Sequence, residues 1–224
     1  MKSLLAVGSG IAMGVALTLG LAMPRVQARA GDQEPQPRFP EFRMNQLNDE
    51  QRPLGEKILK VSSTGSLSGP NNLMLRSPVM GDRLFMLIDY LRFHTSLPHR
   101  LNEFAILIQA RLWTSQVEWR AHYPIALKEG LEQSVVDDLS QGKRPAGMPP
   151  DEALVYDFCM ELSTRHELTD AIFQRARAIF TDQQIVDLTT VTGTYELLAM
   201  MLKTAADDGI PDGKTALLKP LPGK

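Results

Sequence analysis

Four polar residues near the middle of the chain have the spacing of one stripe on a helix: Arg111, Ser115, Glu118 and His122. At about 100° per residue, their intervals of four, three and four residues keep them on one narrow face. Trp113 and Trp119 flank the stripe, and tryptophan rarely lies on a solvated face. The tryptophans therefore favour a functional site, although a solvated face is the usual explanation of a polar stripe.

Glu118 and His122 are the pair in this stripe best suited to chemistry. They lie one turn apart, where a carboxylate can orient an imidazole and stabilise its charge. A histidine with such a neighbour can act as a general acid or base near neutral pH. The other histidines are isolated from further ligand-type residues, so we expect them at the surface or at helix ends and predict no metal site. They are His94, His99 and His166.

The composition limits the classes of protein to which this chain can belong. Its 224 residues are 43% hydrophobic and 22% charged, which is typical of a globular protein. A net charge of −2 argues against a nucleic-acid-binding protein. The only cysteine, Cys159, excludes an intrachain disulfide and a Cys-x-x-Cys motif. Its apolar neighbours predict that this thiol is buried.

The first 30 residues have the organisation of a bacterial signal peptide. A basic start at Lys2 precedes a mostly apolar stretch, and Ala28-Arg29-Ala30 is a small-x-small cleavage pattern. We therefore expect cleavage after Ala30 and a periplasmic or secreted protein. An uncleaved membrane anchor is the alternative, because about 20 apolar residues can span a bilayer.

The rest of the chain has helical periodicity and no sustained strand-like alternation, which predicts an all-α fold of roughly six to eight helices. A short helix is expected from Asn48 to Lys60, a loop over 62–72, and a helix after Pro78. The next helix should begin at Pro98, carry the whole polar stripe, and end or kink near Pro124.

Further helical patterns occupy the second half of the chain. They span residues 131–139 and 154–162, and a third follows a cap at Thr169. Thr181 and Gln184 have capping-box spacing and open a long final helix. Tyr195 lies in the apolar stripe of that helix, whose spacing suits packing against another helix.

The segments RLNEFAIL (100–107) and SQVEWRAH (115–122) resemble the carboxymuconolactone decarboxylase family of the alkylhydroperoxidase D-like (AhpD-like) superfamily. The resemblance extends over about Leu75 to Pro211. It implies an AhpD-like helical domain at 73–208. This chain adds to that domain the expected signal peptide (1–30) and an N-terminal extension (31–72) with one short helix. A Pro/Gly-rich tail occupies 209–224.

The superfamily has two chemistries. The alkylhydroperoxidase D proteins carry Glu-x11-Cys-x2-Cys-x3-His and cycle a disulfide. The same spacing here is Glu103-x11-Ser115-x2-Glu118-x3-His122. Neither serine nor glutamate can cycle between thiol and disulfide, so peroxidase activity is disfavoured. The decarboxylases keep Glu-x3-His without the thiols, and Glu118 and His122 match that pattern.

The resemblance therefore implies a lyase or isomerase that needs no metal or organic cofactor and acts on a small lactone or on a carboxylic or phenolic acid. His122 is expected to deliver a proton to carbon, Glu118 to orient His122, and Glu103 to belong to a proton relay. Arg111 is the candidate for holding the substrate carboxylate. The further substrate-binding candidates are Ser115, Trp119 and Tyr195.

The resemblance also implies a homo-oligomer, a trimer or a hexamer. Two alternative functions stay open at this point. One is a thiol-dependent peroxide reductase, which would need an exposed and reactive Cys159. The other is an exported small-molecule-binding protein that has kept the pocket and lost the chemistry.

Overall fold

The structure is a computed structural model that describes residues 37–61, 65–209 and 211–221. The predicted signal peptide lies outside these described residues, which form a 3-10 helix at Met44–Gln46, nine α-helices and no strand. The prediction of an all-α fold is confirmed, with more helices than expected. The α-helices are α1 (Arg52–Val61), α2 (Pro70–Met74), α3 (Pro78–Phe93), α4 (His99–Trp113), α5 (Gln116–Lys128), α6 (Gln133–Ser140), α7 (Pro150–Arg165), α8 (Asp170–Ile179) and α9 (Asp182–Ala205).

The centre of the fold is α4, which contacts α5, α7 and α9. Every residue from Leu101 to Arg111 is buried. Apolar side chains occupy all sides of α4, and a helix that is apolar all round is stable only when other elements surround it. The polar residues of α4 are therefore buried together with their apolar neighbours.

The long final helix, α9, is the second core element. Its predicted capping box is confirmed: Thr181 Oγ1 accepts from Gln184 N at 3.3 Å, and Gln184 Oε1 accepts from Thr181 N at 3.0 Å. By length and composition α9 could cross a membrane, but 56% of its most apolar stretch is buried against the rest of the protein. We therefore interpret α9 as a core helix.

The helical pattern and the structure differ in two places. The predicted loop over 62–72 contains the start of α2, which begins with Pro70 at its first position, where the missing N–H has no helical partner to lose. Pro124 was expected to end or kink its helix; it does not end the helix, since it lies inside α5, which continues to Lys128.

The C-terminal segment, Ala216–Leu221, has no helix and lies along α4 and α5. The side-chain amide of Gln116 donates to Leu218 O at 2.8 Å and accepts from Leu218 N at 3.0 Å. Leu218 is buried, whereas Leu217 and Lys219 are exposed. Burial of Leu218, the two hydrogen bonds of Gln116 and a third from Arg111 Nη2 to Lys219 O, at 2.9 Å, therefore hold this segment in place.

Candidate active site

The predicted polar stripe is divided between two helices, so the prediction of a single helix through it was wrong. α4 ends at Trp113 and α5 begins at Gln116. Arg111 therefore lies on α4, whereas Glu118 and His122 lie on α5.

A tight turn separates the two helices. Thr114 is left-handed, with φ of 49°. Ser115 N donates to Ala110 O at 2.8 Å, and Thr114 N donates to Arg111 O at 3.1 Å. These two bonds form the Schellman motif that commonly ends a helix. The sequence contained a signal for this turn, because Ser115 and Glu118 have the Ser-x-x-Glu spacing of a helix start.

The turn lays α5 against α4 and brings His122 to Glu103. His122 Nδ1 lies 2.7 Å from Glu103 Oε2, and both side chains are buried. Since a carboxylate can only accept, the geometry fits Nδ1–H donating to Glu103, which leaves Nε2 of the neutral ring as the basic nitrogen. Glu103, expected as a member of a proton relay, is the residue that orients His122.

Glu118 does not hydrogen-bond His122, contrary to the predicted orienting role. It is 3% exposed, and neither of its carboxyl oxygens has a hydrogen-bond partner within the described part of the chain. Burial raises the pKa of Glu118 to about 8, and the Ser115 hydroxyl and the charge of Lys203 lower it in part. At neutral pH the carboxyl is therefore mostly protonated and can act as a proton donor.

Tyr195 of α9 covers the histidine from a third helix. Its ring meets that of His122 edge-on, with centroids 5.0 Å apart and an interplanar angle of 90°. Burial raises the pKa of the Tyr195 hydroxyl; the charge of Arg92 opposes this, and Glu103 and Glu118 add to it. Tyr195 thus keeps its proton and lies in the core, as its place in the apolar stripe predicted.

Lys203 is a neighbour of this cluster that sequence reasoning missed. Its ammonium donates to Thr114 O at 3.1 Å and pairs with Asp208 at 3.0 Å. No local pattern links residues 114 and 203, which only the packing of α9 beside the turn brings together. Ser115, the residue before α5, is buried, and its Oγ has no hydrogen-bond partner among the described residues.

Arg111 and Trp119 line a separate space. A cleft of about 400 Å³ lies between α5, α6 and the C-terminal segment. Its lining includes Arg111 and Trp119 but none of Glu103, Glu118 and His122. On α4, Arg111 and Glu103 are separated by two turns, about 12 Å along the axis. The structure therefore brings the predicted catalytic residues together and places Arg111 and Trp119 elsewhere.

Cys159 is fully buried on α7, as predicted. Its Sγ lies 3.4 Å from Thr192 Oγ1, and burial raises the pKa of the thiol to about 12. A thiol in this state is a poor nucleophile, because the thiolate is the reactive form. Within the described residues, no group of three or more His, Cys, Asp or Glu side chains could hold a metal ion.

Two solved structures are similar to this one. The first is described as the alkylhydroperoxidase AhpD core of an uncharacterized peroxidase-related protein from Ralstonia eutropha JMP134. It has a TM-score of 0.66 and 20% identity, over 81% of this chain and 95% of that chain. The second, an uncharacterized peroxidase-related protein from Silicibacter sp. TM1040, has a TM-score of 0.63 and 17% identity, over 79% of this chain and 94% of that one.

No protein-family model and no curated protein matches the sequence. At identities this low, the likeness to the two solved structures concerns the fold and not the reaction. The matches cover 95% and 94% of the two neighbouring chains. The chain therefore adopts the all-helical AhpD-core fold.

Proposed function

We propose that this protein is a thiol-independent acid–base enzyme, a lyase or isomerase of the carboxymuconolactone decarboxylase type. Its substrate is a small lactone or a carboxylic or phenolic acid. The observation that carries the proposal is the buried Glu103–His122 pair, with 2.7 Å between Oε2 and Nδ1. A carboxylate that holds one ring nitrogen prepares the other nitrogen for proton transfer.

Glu118 supplies the second half of the chemistry. The raised pKa of Glu118, about 8, makes its carboxyl a proton donor at neutral pH, whereas the bond from Nδ1 to Glu103 leaves Nε2 of His122 for proton transfer. In a decarboxylation, the bond to the carboxylate carbon breaks, carbon dioxide leaves and its electron pair stays on the substrate as an enolate. The protonated Glu118 can stabilise that oxyanion by a hydrogen bond. Nε2 of His122 first accepts a proton from water, then delivers that proton to the substrate carbon and is neutral again.

The substrate must reach a site that is nearly closed in the single chain. Glu103 is 4% and His122 5% exposed, so neighbouring side chains move aside when the substrate enters. The thiol-dependent alternative is less well supported, because its only sulfur nucleophile, Cys159, is buried with a raised pKa.

We also propose that the protein is an exported homo-oligomer. The support for an oligomer is a set of exposed apolar side chains on each of two helices, α3 and α9. Its residues recur at helical spacing, and large exposed apolar faces commonly mark protein interfaces. They are Val79, Met86 and Phe93 on α3, and Val186, Leu197 and Met200 on α9. Light scattering of the purified chain tests this, with a monomer as the contradicting result.

The test of the catalytic proposal uses two readouts on a panel of small lactones, muconate-like diacids and phenolic acids. One is carbon dioxide release, and the other is deuterium incorporation from D2O into a substrate C–H position, followed by NMR. His122→Ala should lower the rate on any active compound by about 10²–10⁴-fold. His99→Ala, which removes an exposed histidine at the start of α4, is the matched control and should leave the rate unchanged.

Two results would contradict the proposal. One is full activity of His122→Ala on a compound that the native protein converts. The other is the absence of both turnover and exchange across the panel, which would favour a binding protein without catalysis.

A further inference from the structure

Arg111 is a buried cation that no carboxylate neutralises among the described residues. Its side chain is 3% exposed and forms no ion pair within them. Nη1 donates to Thr114 Oγ1 at 3.4 Å, and Nη2 donates to Lys219 O at 2.9 Å. Nε has no acceptor there. Buried charges are usually paired, so a guanidinium held only by neutral groups indicates a place for an anion.

The edge of this guanidinium that carries Nε and Nη2 faces a glycine. A Cβ built on Gly142 would lie 3.8 Å from Arg111 Nε and 3.9 Å from Nη2. The same Cβ would overlap the Leu221 side chain. The edge that carries Nε and Nη2 is the edge at which arginine binds a carboxylate through two parallel hydrogen bonds. In this structure the C-terminal segment covers that edge. The Lys219 carbonyl accepts from Nη2, and the Leu221 side chain lies beside Gly142.

The space next to Arg111 suits a small aromatic molecule. The cleft of about 400 Å³ is within the range of small-molecule sites, and its lining includes Trp119, Tyr123, Val136 and Leu218. The Trp119 and Tyr123 rings lie 6.0 Å apart, tilted by 36°. Aromatic walls beside one buried cation match a ligand that has a ring and a carboxylate.

We propose that Arg111 anchors a second ligand site, which binds a small aromatic carboxylate, and that the C-terminal segment is a cover displaced by the ligand. The carboxylate takes the place of the Lys219 carbonyl on Nη2 and supplies the missing acceptor for Nε. The ring lies against Trp119 and Tyr123. This site is independent of the catalytic proposal, because its lining contains neither Glu103 nor His122.

The experiment titrates the full-length protein calorimetrically with benzoate and with its neutral isostere, benzamide. Benzoate should bind at least about tenfold more tightly, because only it forms charge-assisted hydrogen bonds. Arg111→Gln should abolish that preference. Arg120→Gln is the matched control: Arg120 lies on α5 and also donates to a backbone carbonyl, Asp208 O, but does not line the cleft.

A second variant tests displacement of the cover. Gln116→Ala removes both hydrogen bonds to Leu218 without touching the guanidinium, so benzoate should bind about tenfold more tightly. In the native protein, saturating benzoate should also speed amide hydrogen exchange at Leu218 N. This measurement does not depend on the folding of any variant.

Equal affinity for benzoate and benzamide would overturn the site. So would an Arg120→Gln protein that loses as much affinity as Arg111→Gln. Displacement of the C-terminal segment would be contradicted if Gln116→Ala bound benzoate no more tightly than the native protein. It would also be contradicted if benzoate left hydrogen exchange at Leu218 N unchanged. His122→Ala should bind benzoate normally, which separates failure of this site from failure of the catalytic proposal.

Discussion

The Glu103–His122 pair and the Arg111 cleft show two ways in which the same helix buries an ionisable group. Glu103 and Arg111 both lie on α4 and are 4% and 3% exposed. Glu103 meets a titratable side chain on α5, whereas Arg111 meets a hydroxyl and a peptide carbonyl. The pair is therefore complete within the chain, and the cleft is complete only with a ligand. The extent of burial therefore does not show whether a site still lacks a ligand. The chemical type of the hydrogen-bond partner does: Glu103 has an ionisable partner, and Arg111 has only neutral ones.

The largest effect expected is the pH dependence of stability. It comes from Glu118, which belongs neither to the Glu103–His122 pair nor to the Arg111 cleft. The pKa of Glu118 is about 8 in the folded protein against an ordinary value of 4.5. The folded state therefore favours the protonated form, and stability falls as pH rises from 4.5 to 8, by at most about 1.4 kcal/mol per pH unit.

Glu118→Gln should remove this slope, so that the variant gains up to about 4 kcal/mol over the native protein between pH 5 and pH 8. Urea unfolding at several pH values measures the gain. Glu129→Gln, an exposed residue at the end of α5, should keep the native slope. Parallel curves for the native protein and Glu118→Gln would contradict the assignment of a raised pKa.

Breaking the Glu103–His122 pair should be the next largest effect. Glu103→Ala leaves the buried Nδ1 of His122 without its acceptor, and we expect a loss of about 3 kcal/mol in the free energy of unfolding. Glu103→Gln keeps an acceptor oxygen and should lose about half as much. Denaturant unfolding at pH 7 compares the two variants. Equal losses would indicate that the negative charge of the carboxylate, which both variants remove, matters there and not the acceptor oxygen alone.

Removing the charge of Arg111 should have a smaller effect. Arg111→Met keeps an unbranched apolar stem, although a shorter one, and removes a buried charge that lacks a counter-ion, so stability should change by less than about 1 kcal/mol. The comparison with Glu103→Ala is made in the same unfolding assay. A loss as large as that of Glu103→Ala would show that Arg111 is a structural residue, and would weaken the case for an open ligand site.

The turn between the two helices should respond least. Thr114 is left-handed, and glycine reaches this conformation without the steric conflict of a Cβ. Thr114→Gly should therefore raise the midpoint of thermal unfolding slightly, by about 1 kcal/mol or less in free energy. The gain is limited because Thr114 Oγ1 also accepts from Arg111. A marked loss would show that this hydroxyl matters more than the backbone.

Much of the fold follows from local sequence patterns. The caps at Thr169 and Thr181 are where the sequence predicted them, because a cap is a bond between residues three positions apart. The burial of Cys159 also follows from its apolar neighbours. The break after Trp113 was missed, since an apolar stretch and a helix period continue through it and only a left-handed residue interrupts them.

The sequence by itself determined the helical class, the composition of the candidate site and the absence of cysteine at positions 115 and 118. Those properties depend on residue type and short-range spacing. Only the tertiary structure decided that Glu103 and not Glu118 meets His122, that Lys203 approaches Glu118, and that the C-terminal segment covers Arg111. Each of these depends on how α4, α5, α9 and the C-terminal segment pack, and no pattern within one helix specifies the contacts between helices.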